Sequence, residues 1–482
     1  MSAVHAGDAP LMLSVSGCRG IVGRSLTPEV VSRYVSSAAW WAGRVSGGAA
    51  EPPQPPAFVL ARDGRAGGEA IALVAAGTLA ACGCRVIDLG IATTPTVGVM
   101  VRESGAGAGL VLTASHNPGE WNGIKVIDRR GAAPPAASAA EIIARFRDAS
   151  SSASQYRPSS QIGRVERDTS SAQVHVKKVL GALERLCPVQ AIRERKFKVV
   201  LDSVNASGAV AGALLLESLG CTLTHLNREA TGVFPHPPEP TQENLASLGE
   251  QVRAHKADIG FAQDPDADRL AMLDEAGRYI GEEYTLVLAV KAALSMGGAK
   301  GGAVAANLST SRMIDDVAAA LGARVVRTAV GEANVVSGME ANHCAIGGEG
   351  NGGVIWPEVV PIRDSLGAMA LTLALLARDK STLSAAAAKI PAYAIVKRKI
   401  DVREGLTAKA LEAARRQFSK PGVRVSDIDG IRADFDLSTG GSGWVHVRAS
   451  NTEPIIRLIA EAPSKAEAER VLDEVQAAID RA

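Results

Sequence analysis

A serine at the end of an apolar run is the first residue of this chain placed to do chemistry. Ala108-Gly109-Leu110-Val111-Leu112 reads as a buried strand delivering the loop Thr113-Ala114-Ser115-His116-Asn117-Pro118, and Pro118 stops that loop from continuing regularly. A serine hydroxyl is a poor nucleophile until a base, a metal or a covalent modification acts on it. His116, Asn117 and the downstream Asn122-Gly123-Ile124-Lys125 form a polar and cationic group suited to an anion. By itself the loop fits a solvated polar turn equally well, because Ser, His and Asn are ordinary turn residues.

The second loop is Asp264-Pro265-Asp266-Ala267-Asp268-Arg269, directly after the apolar Ile259-Gly260-Phe261-Ala262. Three carboxylates at alternate positions repel one another unless a cation sits among them, and all-oxygen ligands suit magnesium or calcium. Asp264, Asp266, Asp268 and Glu275 also match positions one, three, five and twelve of an EF-hand loop. That loop requires glycine at position six and a preceding helix, whereas this chain has Arg269 and a strand. An aspartyl nucleophile of the haloacid-dehalogenase type and a solvated acidic turn are the other readings.

The third loop, Gly347-Gly-Glu-Gly-Asn-Gly-Gly353, lets backbone approach a ligand closely, while Glu349 and Asn351 offer acceptors and donors for sugar hydroxyls. A glycine-rich turn alone is weak evidence. The fourth, Arg448-Ala-Ser-Asn-Thr-Glu-Pro454, combines an arginine fork, two hydroxyls and an amide, a donor set suited to phosphate.

The elements that must position these loops repeat. Phe58 to Asp63, Phe197 to Asp202 and Gly302 to Asn307 each read as an apolar strand. Each leads through a helical stretch and a glycine (Gly83, Gly220, Gly322) into a second strand. Such βαβ units want mostly parallel sheets covered by helices, so the fold class is α/β, with three similar domains in tandem. Beyond Ala377 the pattern changes to a smaller α+β domain, with strands at 397–402, 431–437 and 444–448 and a final helix over 465–482. Domains are expected at 1–155, 156–280, 281–392 and 393–482, with Ala149 to Ser154 opening a surface linker and Glu51 to Pro56 a surface loop. The amphipathic stretch Glu29 to Trp41 reads as a core helix, with a dimer face as the alternative.

With 482 residues the chain is too long for one core, and a net charge of +1 without a basic block argues against nucleic acid as a partner. The six cysteines lack the spacing of a zinc site or a disulfide framework, the first ten residues lack signal-peptide order, and the longest apolar run, Ala368 to Ala377, is closed by Arg378. A cytoplasmic location, no membrane contact and a small-molecule partner are expected.

Taken together and in this order, TASHNP, DPDADR, GEGNGG and RASNTEP make the chain resemble the α-D-phosphohexomutases, the superfamily of phosphoglucomutase, phosphomannomutase and phosphoglucosamine mutase. The GEGNGG form with Arg363-Asp364-Ser365 looks most like the archaeal-type phosphoglucosamine mutases. The resemblance implies four domains around a central cleft, each giving one loop. It implies a phosphoryl group on Ser115 and Mg²⁺ held by that phosphoserine with Asp264, Asp266 and Asp268. Arg19 and Arg269 would steady the moving phosphate, His116 and Lys125 would assist proton transfer, and Glu349 and Asn351 lie in the sugar loop. Arg448, Ser450, Asn451 and Thr452 would grip the substrate's non-reacting phosphate. The implied reaction moves a phosphoryl group between the 6- and 1-positions of a hexose phosphate, through a glucose- or glucosamine-1,6-bisphosphate that also serves as activator. Glucosamine phosphate is the first choice of substrate, and the assembly is a monomer or homodimer. Many relatives place serine and then histidine where this chain has Asn351 and Gly353, which leaves the general base open. A metal-dependent sugar phosphatase and a non-catalytic sugar-phosphate sensor are the competing functions; the first would not need Ser115, and the second would normally have lost Ser115 or an aspartate.

Overall fold

The computed structural model describes residues 11–47, 55–148, 156–297, 302–401, 407–438, 440–449 and 455–481. The linker expected over 149–154 and most of the proline-rich stretch 51–56 lie outside the described residues.

Three sheets share one four-strand plan. In the second unit the order in space is Leu270–Leu273, Ile259–Gln263, Lys198–Asp202, Thr222–Leu226, and in the third it is Gly353–Ile355, Ile346–Glu349, Ala303–Asn307, Arg324–Thr328. The first sheet contains the same arrangement in Trp121–Asp128, Ala108–Leu112, Phe58–Arg62, Val86–Ile91. It is widened by Met12–Ser14 and Gly17–Ile21 on one side and Val165–Arg167 on the other. In each four-strand plan three strands run parallel and the fourth returns antiparallel, at the sheet edge in the second and third units and beside Gly17–Ile21 in the first. The returning hairpin carries the candidate loops: Ser115, Asp264 to Asp268, and Gly350 to Gly352 each occupy it in their own repeat. The sequence repeat therefore places three loops at equivalent ends of three sheets.

The helices after the first strands end on left-handed Gly83, Gly220 and Gly322, as expected. The helix Ser365–Asp379 is buried from Ser365 through Ala377 and packs on the helices Glu282–Met296, Val189–Arg195 and Ser171–Glu184. Its all-round apolar surface is that of a central core helix. Among the described residues no helix is long and apolar enough to cross a membrane. The helix Pro28–Gly47 buries Val31, Tyr34, Val35, Ala38 and Trp41 in the core of the first unit.

The last unit is a five-stranded antiparallel sheet, in the order Ala394–Asp401, Ile455–Ala462, Ser442–Ala449, Ile431–Asp436, Arg424–Ser426. The helices Thr407–Phe418 and Lys465–Asp480 pack on it. It docks on the third unit through polar contacts. The buried His446 Nδ1 lies 2.9 Å from Ser309 Oγ, Asp429 accepts from the Val330 N–H at 3.0 Å, and Lys397 pairs with Glu282 at 2.7 Å.

Candidate active site

Ser115 is held in the left-handed region at φ 50°, a conformation that costs a non-glycine residue and needs outside support. Arg65 supplies it. Its fully buried guanidinium donates to the carbonyl oxygens of Ser115 and Trp121 at 2.6 Å each, and pairs with Asp63 at 2.8 Å. Asp63 also accepts from the Thr113 hydroxyl at 2.6 Å, and that hydroxyl accepts from the Ser115 N–H at 2.8 Å. The serine is thereby fixed at a strand's end with its hydroxyl free to turn toward the second unit.

There the Ser115 Oγ–H donates to Asp264 Oδ2 at 2.9 Å. Asp264, Asp266 and Asp268 are all fully buried, and one oxygen from each lies within 4.8 Å of the others. Lys125 Nζ bridges Asp266 and Asp268 at 2.6 and 2.9 Å. Burial disfavours the charge on Asp268, yet Arg363 and Lys125 beside it hold its carboxyl well below the usual carboxylate range. Asp264 is pushed the other way, by burial and by the negative charge of Asp268 and Asp266. Asp266 Oδ1 and Asp268 Oδ1 are buried and accept no hydrogen bond. Two orphaned carboxylate oxygens beside a third acid are a ready set of hard ligands, so these residues fit a divalent cation. The EF-hand alternative fails on position: Glu275 accepts from the Ser384 N–H on the far side of the domain.

The acidic loop is suspended from all three repeats. Thr94, opening the helix Thr94–Ser104 of the first unit, donates its N–H to the Asp266 carbonyl at 2.9 Å and its hydroxyl to the Asp266 carboxylate. Ser207 Oγ reaches the Pro265 carbonyl at 2.7 Å, and the Ser365 N–H reaches that of Ala267 at 3.3 Å. Arg363 donates to Asp268 at 2.6 Å.

The remaining candidates fall into place around this centre. Arg19 donates to Asn117 Oδ1 at 3.1 Å, and the Arg269 N–H donates to Asp264 at 3.1 Å. His116 Nδ1 stands 3.5 Å from Ser115 Oγ; burial, then Arg269 and Arg19, lower its pKa to about 3, so the imidazole is neutral. Glu349 accepts from Asn307 Nδ2 at 2.8 Å, the Gly331 N–H at 3.1 Å and Arg363 at 2.8 Å. Asn351 turns its carbonyl oxygen back to the Gly353 N–H of its own loop. Arg448 pairs with Asp429 at 3.1 Å in the last unit and makes no ion pair with the serine cluster. Ser450, Asn451 and Thr452 lie outside the described residues.

Three participants are absent from the sequence-based list. Arg65 is one. Arg363, which joins the acidic loop to the glycine-rich loop, is the second, and it explains Gly353: a Cβ there would fall 2.2 Å from Arg363 Cδ. The third is Glu332. Its Oε1 accepts from the Arg363 N–H at 2.6 Å while Oε2 makes no hydrogen bond among the described residues, and burial raises its pKa. Asp-Gly-Arg directly after a strand and Gly-Glu opening a helix were the available signals.

Family descriptions of phosphoglucomutase/phosphomannomutase match along the chain: α/β/α domain I over residues 12–153, domain II over 175–277, domain III over 281–393 and the C-terminal domain over 395–478. The chain belongs to the phosphoglucomutase/phosphomannomutase family. It is thus an intramolecular phosphotransferase, an isomerase of the α-D-phosphohexomutase superfamily. It is 35% identical over 461 residues to a phosphoglucomutase/phosphomannomutase of Thermococcus kodakarensis, covering 95% of this chain and 96% of that one. It is 30% identical over 472 residues to a phosphoglucosamine/phosphogalactosamine mutase of Sulfurisphaera tokodaii, covering 97% and 99%. A solved phosphoglucomutase/phosphomannomutase family protein from Burkholderia thailandensis superposes with a TM-score of 0.80 at 26% identity, covering 98% of each chain. Four domains, implied by the resemblance, are the family's arrangement.

Proposed function

We propose that this phosphohexomutase carries its phosphoryl group on Ser115 and that its preferred substrate is an amino-sugar phosphate, glucosamine 6-phosphate going to glucosamine 1-phosphate. The observation that carries the reading is the Ser115 hydroxyl seated on Asp264 beside two carboxylate oxygens that accept no hydrogen bond. Asp264, Asp266, Asp268 and a phosphoserine oxygen would hold Mg²⁺, which when bound supplies positive charge against the phosphoryl oxygens. Phosphoryl transfer rests mainly on positioning and charge neutralisation, and Arg19, Arg269 and Lys125 are the fixed cations on hand. Arg65 and Asp63 keep the serine aimed. A neutral His116 can accept a hydrogen bond beside Ser115 without adding charge.

On the sugar side, three donors already engage Glu349, and the open oxygen belongs to Glu332. Glu332 is therefore the acceptor offered to a sugar hydroxyl or ammonium, with Arg363 fixing both glutamates. Arg448 grips the distal phosphate, so that the 1,6-bisphosphate intermediate can turn over and present its other end to Ser115. The Sulfurisphaera relative's amino-sugar name supports the substrate choice. Side-by-side turnover of glucosamine, glucose and mannose phosphates tests it: the amino sugar should have the highest kcat/KM, and a preference of about tenfold or more for a neutral hexose would reject it.

A further inference from the structure

His175 is fully buried on the helix Ser171–Glu184, far in sequence from every loop, and no step above uses it. Its Nδ1 lies 2.9 Å from Thr96 Oγ1 and its Nε2 lies 3.1 Å from Asp364 Oδ2. A carboxylate only accepts, so Nε2 carries the hydrogen. Both partners sit in the first turn or cap of a helix that holds an acid of the metal loop. Thr96 hydrogen-bonds Thr93, the N-cap of the helix whose first residue, Thr94, grips Asp266. Asp364 caps the central helix through the Leu366 and Gly367 N–H groups, and its neighbour Arg363 grips Asp268.

We propose that His175 is a positioning residue that fixes the separation of Asp266 and Asp268 by clamping together the two helix starts that hold them. This rests on the reading of those aspartates as metal ligands. A cation site gains affinity when its carboxylates are held apart at the right spacing before the ion arrives, because their mutual repulsion would otherwise splay them. Among the described residues the imidazole is the one side chain that bridges the first and third repeats behind both acids, from a helix that belongs to neither. Without it each helix keeps its own cap, so the helices survive while their relative placement loosens.

The test is direct Mn²⁺ binding, followed by the electron paramagnetic resonance signal of the free ion, on full-length protein of matched phosphorylation. His175→Ala and Thr96→Val should each weaken binding about tenfold, the scale of outer partners of metal ligands. The double variant should bind no more weakly than His175→Ala, since both changes break one link. His175→Gln retains a donor for Asp364 and should fall between wild type and His175→Ala. Wild-type affinity in Thr96→Val, the mildest change and the least exposed to misfolding, would overturn the inference, as would additive losses in the double variant. Wild-type protein that takes up no Mn²⁺ would defeat the metal reading itself, a different failure from unaltered affinity in the variants.

Discussion

Ser115 and Asp264, 149 residues apart in the chain, share a 2.9 Å hydrogen bond at the meeting of the first and second repeats. It joins the end of one strand–loop–strand hairpin to the end of its structural equivalent, so Ser115 and the acidic loop are brought together by the repeat. Replacing Ser115 with alanine should lower isomerisation by at least about a thousandfold with the fold intact. A coupled assay of glucose 1-phosphate turnover checks this, and near-normal turnover would remove Ser115 from the chemistry.

Lys125 neutralises two buried carboxylates. Lys125→Met should leave the buried Asp266 without its cationic partner and Asp268 with Arg363 alone, a cost of about 3 kcal/mol or more. Thermal unfolding in metal-free buffer should show a lower Tm, and added Mg²⁺ should narrow the gap to wild type. An unchanged Tm without metal would contradict the electrostatic reading of the loop.

Glu332→Gln keeps a carbonyl for the Arg363 N–H but replaces the open acceptor with a donor. The expected result is a KM for glucosamine 6-phosphate raised about tenfold, the value of one hydrogen bond to a charged group, with phosphoserine content and Tm unchanged. A KM equal to wild type would return sugar recognition to Glu349 alone.

Glu283 should give the protein a pH-dependent stability. It lies buried under the sugar loop, where it accepts from the Ser311 N–H at 3.0 Å, and a Cβ on Gly350 would fall 2.1 Å from its carboxylate. Burial pushes its carboxyl up to about 8; Glu282 and Glu461 push the same way, and the Ser311 N–H and Lys397 oppose them. A folded pKa above the ordinary 4.5 means that the folded state holds a proton the unfolded state has lost. Its stabilising contribution is full below about pH 4.5 and is lost as the pH rises to about 8. Glu283→Gln cannot titrate, so its Tm should gain on that of wild type between pH 5 and pH 8.5. Parallel Tm profiles would reject the assignment.

The three repeats and the loops at Ser115, Asp264 and Glu349 were legible in the sequence because strand, helix and glycine recur in one order and each loop follows an apolar strand. Arg65, Arg363, Glu332 and His175 were not. Each acts through a partner tens of residues or more away, and the local signals, Asp-Gly-Arg after a strand and Gly-Glu opening a helix, are too weak to separate such a residue from a surface charge. The helix Thr407–Phe418 and the strand Ile455–Ala462 were also unread, since the last unit lacks a sibling in the chain against which its pattern could be matched.

The most direct measurement is the intact mass of the protein after incubation with glucose 1,6-bisphosphate and Mg²⁺. Wild type should gain one phosphoryl group and Ser115→Ala none. A wild-type mass that stays unphosphorylated throughout, or a Ser115→Ala protein that gains the same group, would contradict the phosphoserine on which the account rests.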